Sequence, residues 1–199
     1  MKRPSTPAAA VFLGIVAVFV LVGLVVVSSN DGPSGVTVGT TSVPRKDVDR
    51  ELQVLAENAA LRKAVGAANV SIAPGTLRST PAAGMVTSIV QEQLILQYLA
   101  RVGERVTATD LDAGRSLRSQ SALDAAFPTL PAWYQRQYSR RLGAYAALSR
   151  VSGATASDGS AAERAIRSQA RRSPVSVSAL YGRYLPSKLQ VVPFTPPKP

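Results

Sequence analysis

The sequence contains no cysteine and no histidine. Those two absences exclude disulfides, thiol nucleophiles, Ser–His and Cys–His catalysis, and every zinc site that needs imidazole or thiolate. A cysteine-free chain suits an oxidising exterior, where a stray thiol is a liability, although cysteine content alone does not fix the compartment. Acids are scarce as well: 12 Asp and Glu stand against 23 Lys and Arg, a formal charge of +11. A phosphate-cradling loop is missing, because SGATASDGS at Ser152 to Ser160 lacks the lysine and the strand of a P-loop. Asp110 and Asp112 fall at the start of a helix, where carboxylates complement the dipole, and their spacing does not suggest the facing pair of a glycosidase. No catalytic residue, cofactor or metal site is expected.

What the chain does have begins with an apolar run. Ala8 to Val27 carries no charge and consists almost entirely of Ala, Val, Leu, Ile, Phe and Gly. As a helix its length would match a bilayer's hydrocarbon core of about 30 Å. Lys2 and Arg3 precede it and Asp31 is the first charge after it, so the positive-inside rule leaves 1–7 cytoplasmic and sends the rest across the membrane. The expectation is a single transmembrane helix over 8–28 at the cell membrane, a flexible linker over 29–35, and a main domain outside the cytoplasm. A cleaved signal peptide is the competing reading; for that, the apolar core is long and Val26-Val27-Ser28 is only a fair cleavage site. With no cysteine after the run, a lipid-modified N-terminus is excluded. The charge of +11 then fits contact with anionic lipid or envelope polymers better than with nucleic acid. A simple solvated arginine face explains it equally.

The exported part reads as helices. Val36 to Val38 is a short β-prone run, and Ser42 is placed to cap a helix that has Pro44 in its first turn and reaches about Asn58. Val48, Leu52 and Leu55 line one side of it, with Arg45, Lys46, Asp47, Asp49, Arg50 and Glu51 over much of the rest. A shorter helix follows to Ala68, then a loop from Ala67 to Ser79 whose Val70 and Ile72 are candidates to tuck onto the core. The central helix starts at Thr80 and Pro81. Val86, Val90, Leu94, Tyr98 and Val102 recur every four residues on one face, widened by Ile89, Ile95 and Leu99. Gly103 is placed to stop it, and Thr107 with Asp110 to cap the next helix.

A turn across Asp124 to Pro131 leads to a long helix from Pro131 to Val151. Tyr134, Tyr138, Leu142 and Tyr145 share one face of that helix, flanked by Trp133. Two readings of this aromatic face stand open. It is a buried core stripe, or it is a groove for non-native segments, with Tyr134 and Tyr138 at the rim and Leu142 and Tyr145 inside. Residues 152–173 read as a linker and a short basic helix. From Pro174 the prolines leave an extended, polyproline-like tail over 174–199.

DRELQVLAEN (Asp49 to Asn58) and VTSIVQEQLILQYLARVGERVTATDLDAG (Val86 to Gly114), following the β-prone run, resemble the N-terminal chaperone domain of SurA-like and PrsA-like exported foldases. FPTLPAWYQRQYSRRLGAYAALSRV (Phe127 to Val151) is similar to that domain's closing helix, and Tyr181-Gly182-Arg183-Tyr184 with Gln190 to Pro193 resembles, more weakly, the closing segment of some relatives. The resemblance covers 36–151. It implies an all-α domain of four to five helices with a short N-terminal strand. It also implies a chaperone-like role in which Val86, Val90, Leu94, Tyr98, Trp133, Tyr134, Tyr138, Leu142 and Tyr145 bind unfolded or partly folded exported proteins. Relatives often insert a parvulin-type prolyl isomerase domain with active-site histidines, which has no place in the short gap at 152–173 of a histidine-free chain. A membrane-anchored adaptor that binds one folded envelope partner is the alternative.

Overall fold

The computed structural model describes residues 25–26, 34–67, 76–77, 79–155 and 158–193. Its first sheet joins the two ends of the folded body. Strand β2 (Ser34–Val38) turns at Gly39 into β3 (Thr41–Pro44) and pairs on its other edge with β5 (Val175–Val177), both antiparallel, giving the order β3-β2-β5. Val36 and Val38 are buried while Thr37 between them is half-exposed, the alternation a pleated strand imposes. A two-stranded pair joins β1 (Val25–Val26) to β4 (Thr76–Leu77), and another joins β6 (Arg183–Leu185) to β7 (Gln190–Val192).

Among the described residues, six α-helices fill the space between. The first, α1 (Arg45–Glu57), presents Val48, Leu52, Val54 and Leu55 to the core. Asn58 ends it and caps α2 (Ala59–Ala64), its side chain accepting from the Leu61 N–H at 2.8 Å. Helix α3 (Ser79–Arg101) runs through the middle of the body. Gly103 takes φ +76° just beyond it, as the sequence led one to expect. Helix α4 (Ala108–Ser119) opens on a complete capping box between Thr107 and Asp110. After a 3-10 turn at Phe127–Thr129 come α5 (Ala132–Ser152) and α6 (Ser160–Arg172).

The all-α expectation is corrected: the fold is mixed, with seven short antiparallel strands among the described residues. The strands escaped because each spans two to five residues, too few for a period of two to show. Ser42 does not cap a helix but pairs with Thr37 in β3, and Pro44 immediately precedes α1. Thr80 likewise lies inside α3, its hydroxyl buried without a partner. Of the expected extended tail, residues 175–193 are described, and there β5, β6 and β7, joined by turns, are woven into the body: Tyr181 is fully buried and donates to Asp49 Oδ1 at 2.6 Å.

The transmembrane helix over 8–28 is corrected too. No helix among the described residues is long and apolar enough to cross a membrane. Of that stretch the structure describes Val25–Val26, which form a strand. The remainder, with the loop positions Val70 and Ile72, lies outside the described residues.

Candidate functional site

Helix α3 carries the face on which binding was expected, and that face is core. Val86, Val90 and Leu94 have no exposed surface, and Ile89, Ile95 and Leu99 are buried beside them. Val102 lies past the helix end and stands in solvent. Tyr98 is half-buried, with the Arg101 guanidinium 5.2 Å from its ring centre.

The aromatic face of α5 closes on the same core. Tyr134, placed at a rim by one reading, is only 3% exposed; its hydroxyl lies 3.7 Å from Met85 Sδ and burial pushes its pKa up. Tyr138 stacks on it at 6.4 Å, and Trp133 meets it edge-on at 5.5 Å. Trp133 is in turn covered by the Arg50 guanidinium at 4.1 Å, while Leu142 is buried. The Tyr145 hydroxyl donates to Gln91 Oε1 at 2.6 Å, and Gln91 donates to the Leu189 carbonyl at 3.1 Å. Eight of the nine expected residues thus pack in or against one core, and Leu142 is buried where α5 meets α4.

Between them lies a feature missing from the sequence reading. Arg141 of α5 is buried and reaches two carboxylates from two other helices. Its Nη2 donates to Glu51 Oε1 and Oε2 at 3.1 and 3.0 Å, and its Nε donates to Glu92 Oε2 at 2.9 Å. Gln137 Nε2 adds a bond to Glu51 Oε1 at 3.0 Å. All three charged side chains are at most 8% exposed. Burial raises the Glu51 pKa above its usual value, more than the adjacent guanidinium lowers it; the Glu92 and Asp47 carboxylates push it further up. One guanidinium thus faces two acids, all three buried. Chemically this is a clamp between α1, α3 and α5.

A second cluster ties α4 to the end of α5. Asp110 accepts from the Thr107 N–H at 2.9 Å, and Arg150 donates from Nε and Nη2 to its two oxygens at 3.0 and 3.1 Å. The Arg150 hydrogen bonds hold the Asp110 pKa down at about 2 against the opposing effect of burial, with the Thr107 bonds helping. A depressed carboxylate contributes stability that is present above its ordinary value of 3.8 and lost as pH falls toward 2. Asp110→Asn is therefore expected to lower stability at neutral pH by about 1 kcal/mol, the size of a lost cap. It should also flatten the acid limb of the melting-temperature profile across that window. A variant that keeps the wild-type limb would assign acid sensitivity elsewhere.

A third set of bonds anchors the C-terminal helix. Gln97 of α3 donates to the Val38 carbonyl at 2.6 Å and accepts from Ser173 Oγ at 2.7 Å; Ser173 in turn accepts from Gln169 at 2.9 Å. No group of three or more metal-ligating side chains occurs among the described residues. Comparison with known proteins found no matching family, no matching curated protein and no matching solved structure.

Proposed function

We propose that the chain is a non-enzymatic binding protein of the cell envelope that recognises a folded partner, rather than a holdase for non-native segments. One observation carries this reading. Every residue nominated to hold clients is buried or half-buried in the core, and Val102 is the sole exposed large hydrophobic side chain among the described residues. A holdase competes with aggregation by offering apolar area to exposed apolar segments, and the described surface offers almost none. It offers charge instead, which governs encounter and specificity with folded partners.

Placement outside the cytoplasm is part of the proposal. It is supported by the charge-free run from Ala8 to Val27 behind Lys2 and Arg3 and by the absence of cysteine. The resemblance to the SurA-like domain is retained in the same sense, as a proposal about common descent without client binding or isomerase activity.

The test is light scattering. The purified chain is mixed at several-fold molar excess with each of two unrelated, chemically unfolded, aggregation-prone proteins on dilution, with its helical circular dichroism checked first. The expected result is aggregation at the rate seen without it. Concentration-dependent suppression of both would restore the chaperone reading.

A further inference from the structure

The positive charge is not spread evenly along the chain. From Ser160 to Pro199 there are seven Arg and Lys and a single acid, Glu163. Four of the seven lie on α6, a helix with two unlike faces. Ala165, Ile166 and Gln169 are buried, with Ala162 and Ala170 packed against the core. Arg164, Arg167 and Arg171, three and four residues apart, form a stripe on the opposite side. Arg164 and Arg171 are exposed.

Arg167 donates to Glu163 Oε1 at 2.8 Å through Nε and to the Ser187 carbonyl at 2.6 Å through Nη1, which draws the β6–β7 turn and its exposed Lys188 up to the stripe. Glu163 offsets one charge of this surface. Asp158, just ahead of the helix, lies within electrostatic reach of Arg164, and no ion pair involves Arg171 among the described residues.

We propose that this face of α6 is a lipid-facing surface that holds the folded body against an anionic bilayer. The occupant follows from the connection of the helix to the rest of the chain. Only Ser173 and Pro174 separate α6 from β5, and β5 pairs directly with β2. Ahead of β2 the chain is charge-free and apolar from Ala8 to Val27, and six residues (28–33), spanning at most about 20 Å, separate the end of that run from the sheet that bears α6. Because the apolar side of α6 is already spent on the core, the helix does not dip into the acyl region. It meets phosphate headgroups from above, as a juxtamembrane basic segment does. The assignment rests on the envelope placement in the preceding reading; the vesicle test below and the scattering test above fail independently.

The experiment exploits the missing cysteine. In the full chain, Ser168→Cys supplies a unique labelling site beside the stripe for a fluorescent donor, and vesicles carry a headgroup acceptor. One set is phosphatidylcholine; the other has phosphatidylcholine and phosphatidylglycerol in roughly equal parts. Each basic residue near an anionic surface contributes about fivefold to apparent affinity.

Energy transfer is therefore expected to be several-fold higher on the anionic vesicles, and to fall back to the phosphatidylcholine level in Arg164→Gln/Arg167→Gln/Arg171→Gln. The loss of affinity in that variant should be on the order of a hundredfold. The higher transfer on anionic vesicles should be retained in Arg115→Gln/Arg136→Gln/Arg140→Gln, which removes as much charge elsewhere. Equal transfer on both vesicles, an equal loss in both triple variants, or displacement from anionic vesicles by double-stranded DNA at matched phosphate concentration would each overturn the assignment. The last would point to nucleic acid.

Discussion

Arg141→Met is expected to destabilise the protein by about 3–5 kcal/mol, a loss that threatens folding for a domain of ordinary stability. The reason lies less in the bonds removed than in what stays behind. Without the guanidinium, Glu51 and Glu92 remain as two carboxylates on facing helices, each at most 8% exposed and one with only Gln137 as a donor. Taking an ion out of water costs several kcal/mol, and an uncompensated one must either protonate or pull the helices apart. Urea denaturation followed by circular dichroism measures the loss.

The companion variant separates charge from shape. Glu51→Leu/Glu92→Leu/Arg141→Met fills the same space without ions and should recover most of the lost stability. A triple variant as weak as the single one would mean that the clamp is irreplaceable for geometric reasons. The pH dependence adds a signature. Glu51 is raised, so its contribution is fully present below the ordinary carboxylate value of 4.5 and is lost as pH rises through its elevated value. That slope is opposite in sign to the one from Asp110, and Glu51→Gln should remove it while leaving the Asp110 limb intact.

Gly114→Val is expected to cost about 3 kcal/mol, the upper part of the range for overpacked contacts. Gly114 of α4 lies against Gly143 of α5 at a crossing where the two backbones touch. A Cβ at Gly114 would sit 2.8 Å from the Gly143 nitrogen and 2.9 Å from the Leu142 carbonyl carbon. Those are backbone atoms, so relief requires moving a whole helix. Moving it would disturb Leu142, which packs into the core, and would strain the Arg150–Asp110 link between the same two helices. Gly143→Ala is the milder comparison, because its new methyl would first meet the end of a flexible side chain, Leu111 Cδ2. Equal losses for the two variants, measured by chemical denaturation, would show that α4 adjusts as a rigid body at little cost.

The long helices were legible because their signals are local. Gly103 in its left-handed conformation and the Thr107–Asp110 box need only neighbouring residues to act. The pairing of Val36–Val38 with Val175–Val177 is the reverse case: two three-residue stretches define it, and neither holds a periodicity that identifies the other. The clamp does leave a signal in the sequence. Glu51 falls between Val48 and Leu55, Glu92 between Ile89 and Ile95, and Arg141 between Tyr138 and Tyr145, each at helical spacing inside an apolar stripe. A charge on an apolar stripe asks for a buried partner of opposite sign, and three such charges on three helices answer one another. The aromatic face of α5 is local in the same sense, since helical spacing alone puts Tyr134, Tyr138, Leu142 and Tyr145 on one side. That it points inward depended on α1, α3 and α5 meeting there, which no stretch of α5 encodes alone.

The β2–β5 pairing also bears on how the chain reaches its final state. Val36 finds Val177 only after every helix between them has been synthesised, so a chain emerging end-first cannot complete this sheet until α6 is out. Until then the β2–β3 hairpin waits with one edge open, the kind of surface that invites pairing with another molecule. A chain built this way stays vulnerable from the emergence of β3 until that of β5, and one three-residue strand decides when that period closes.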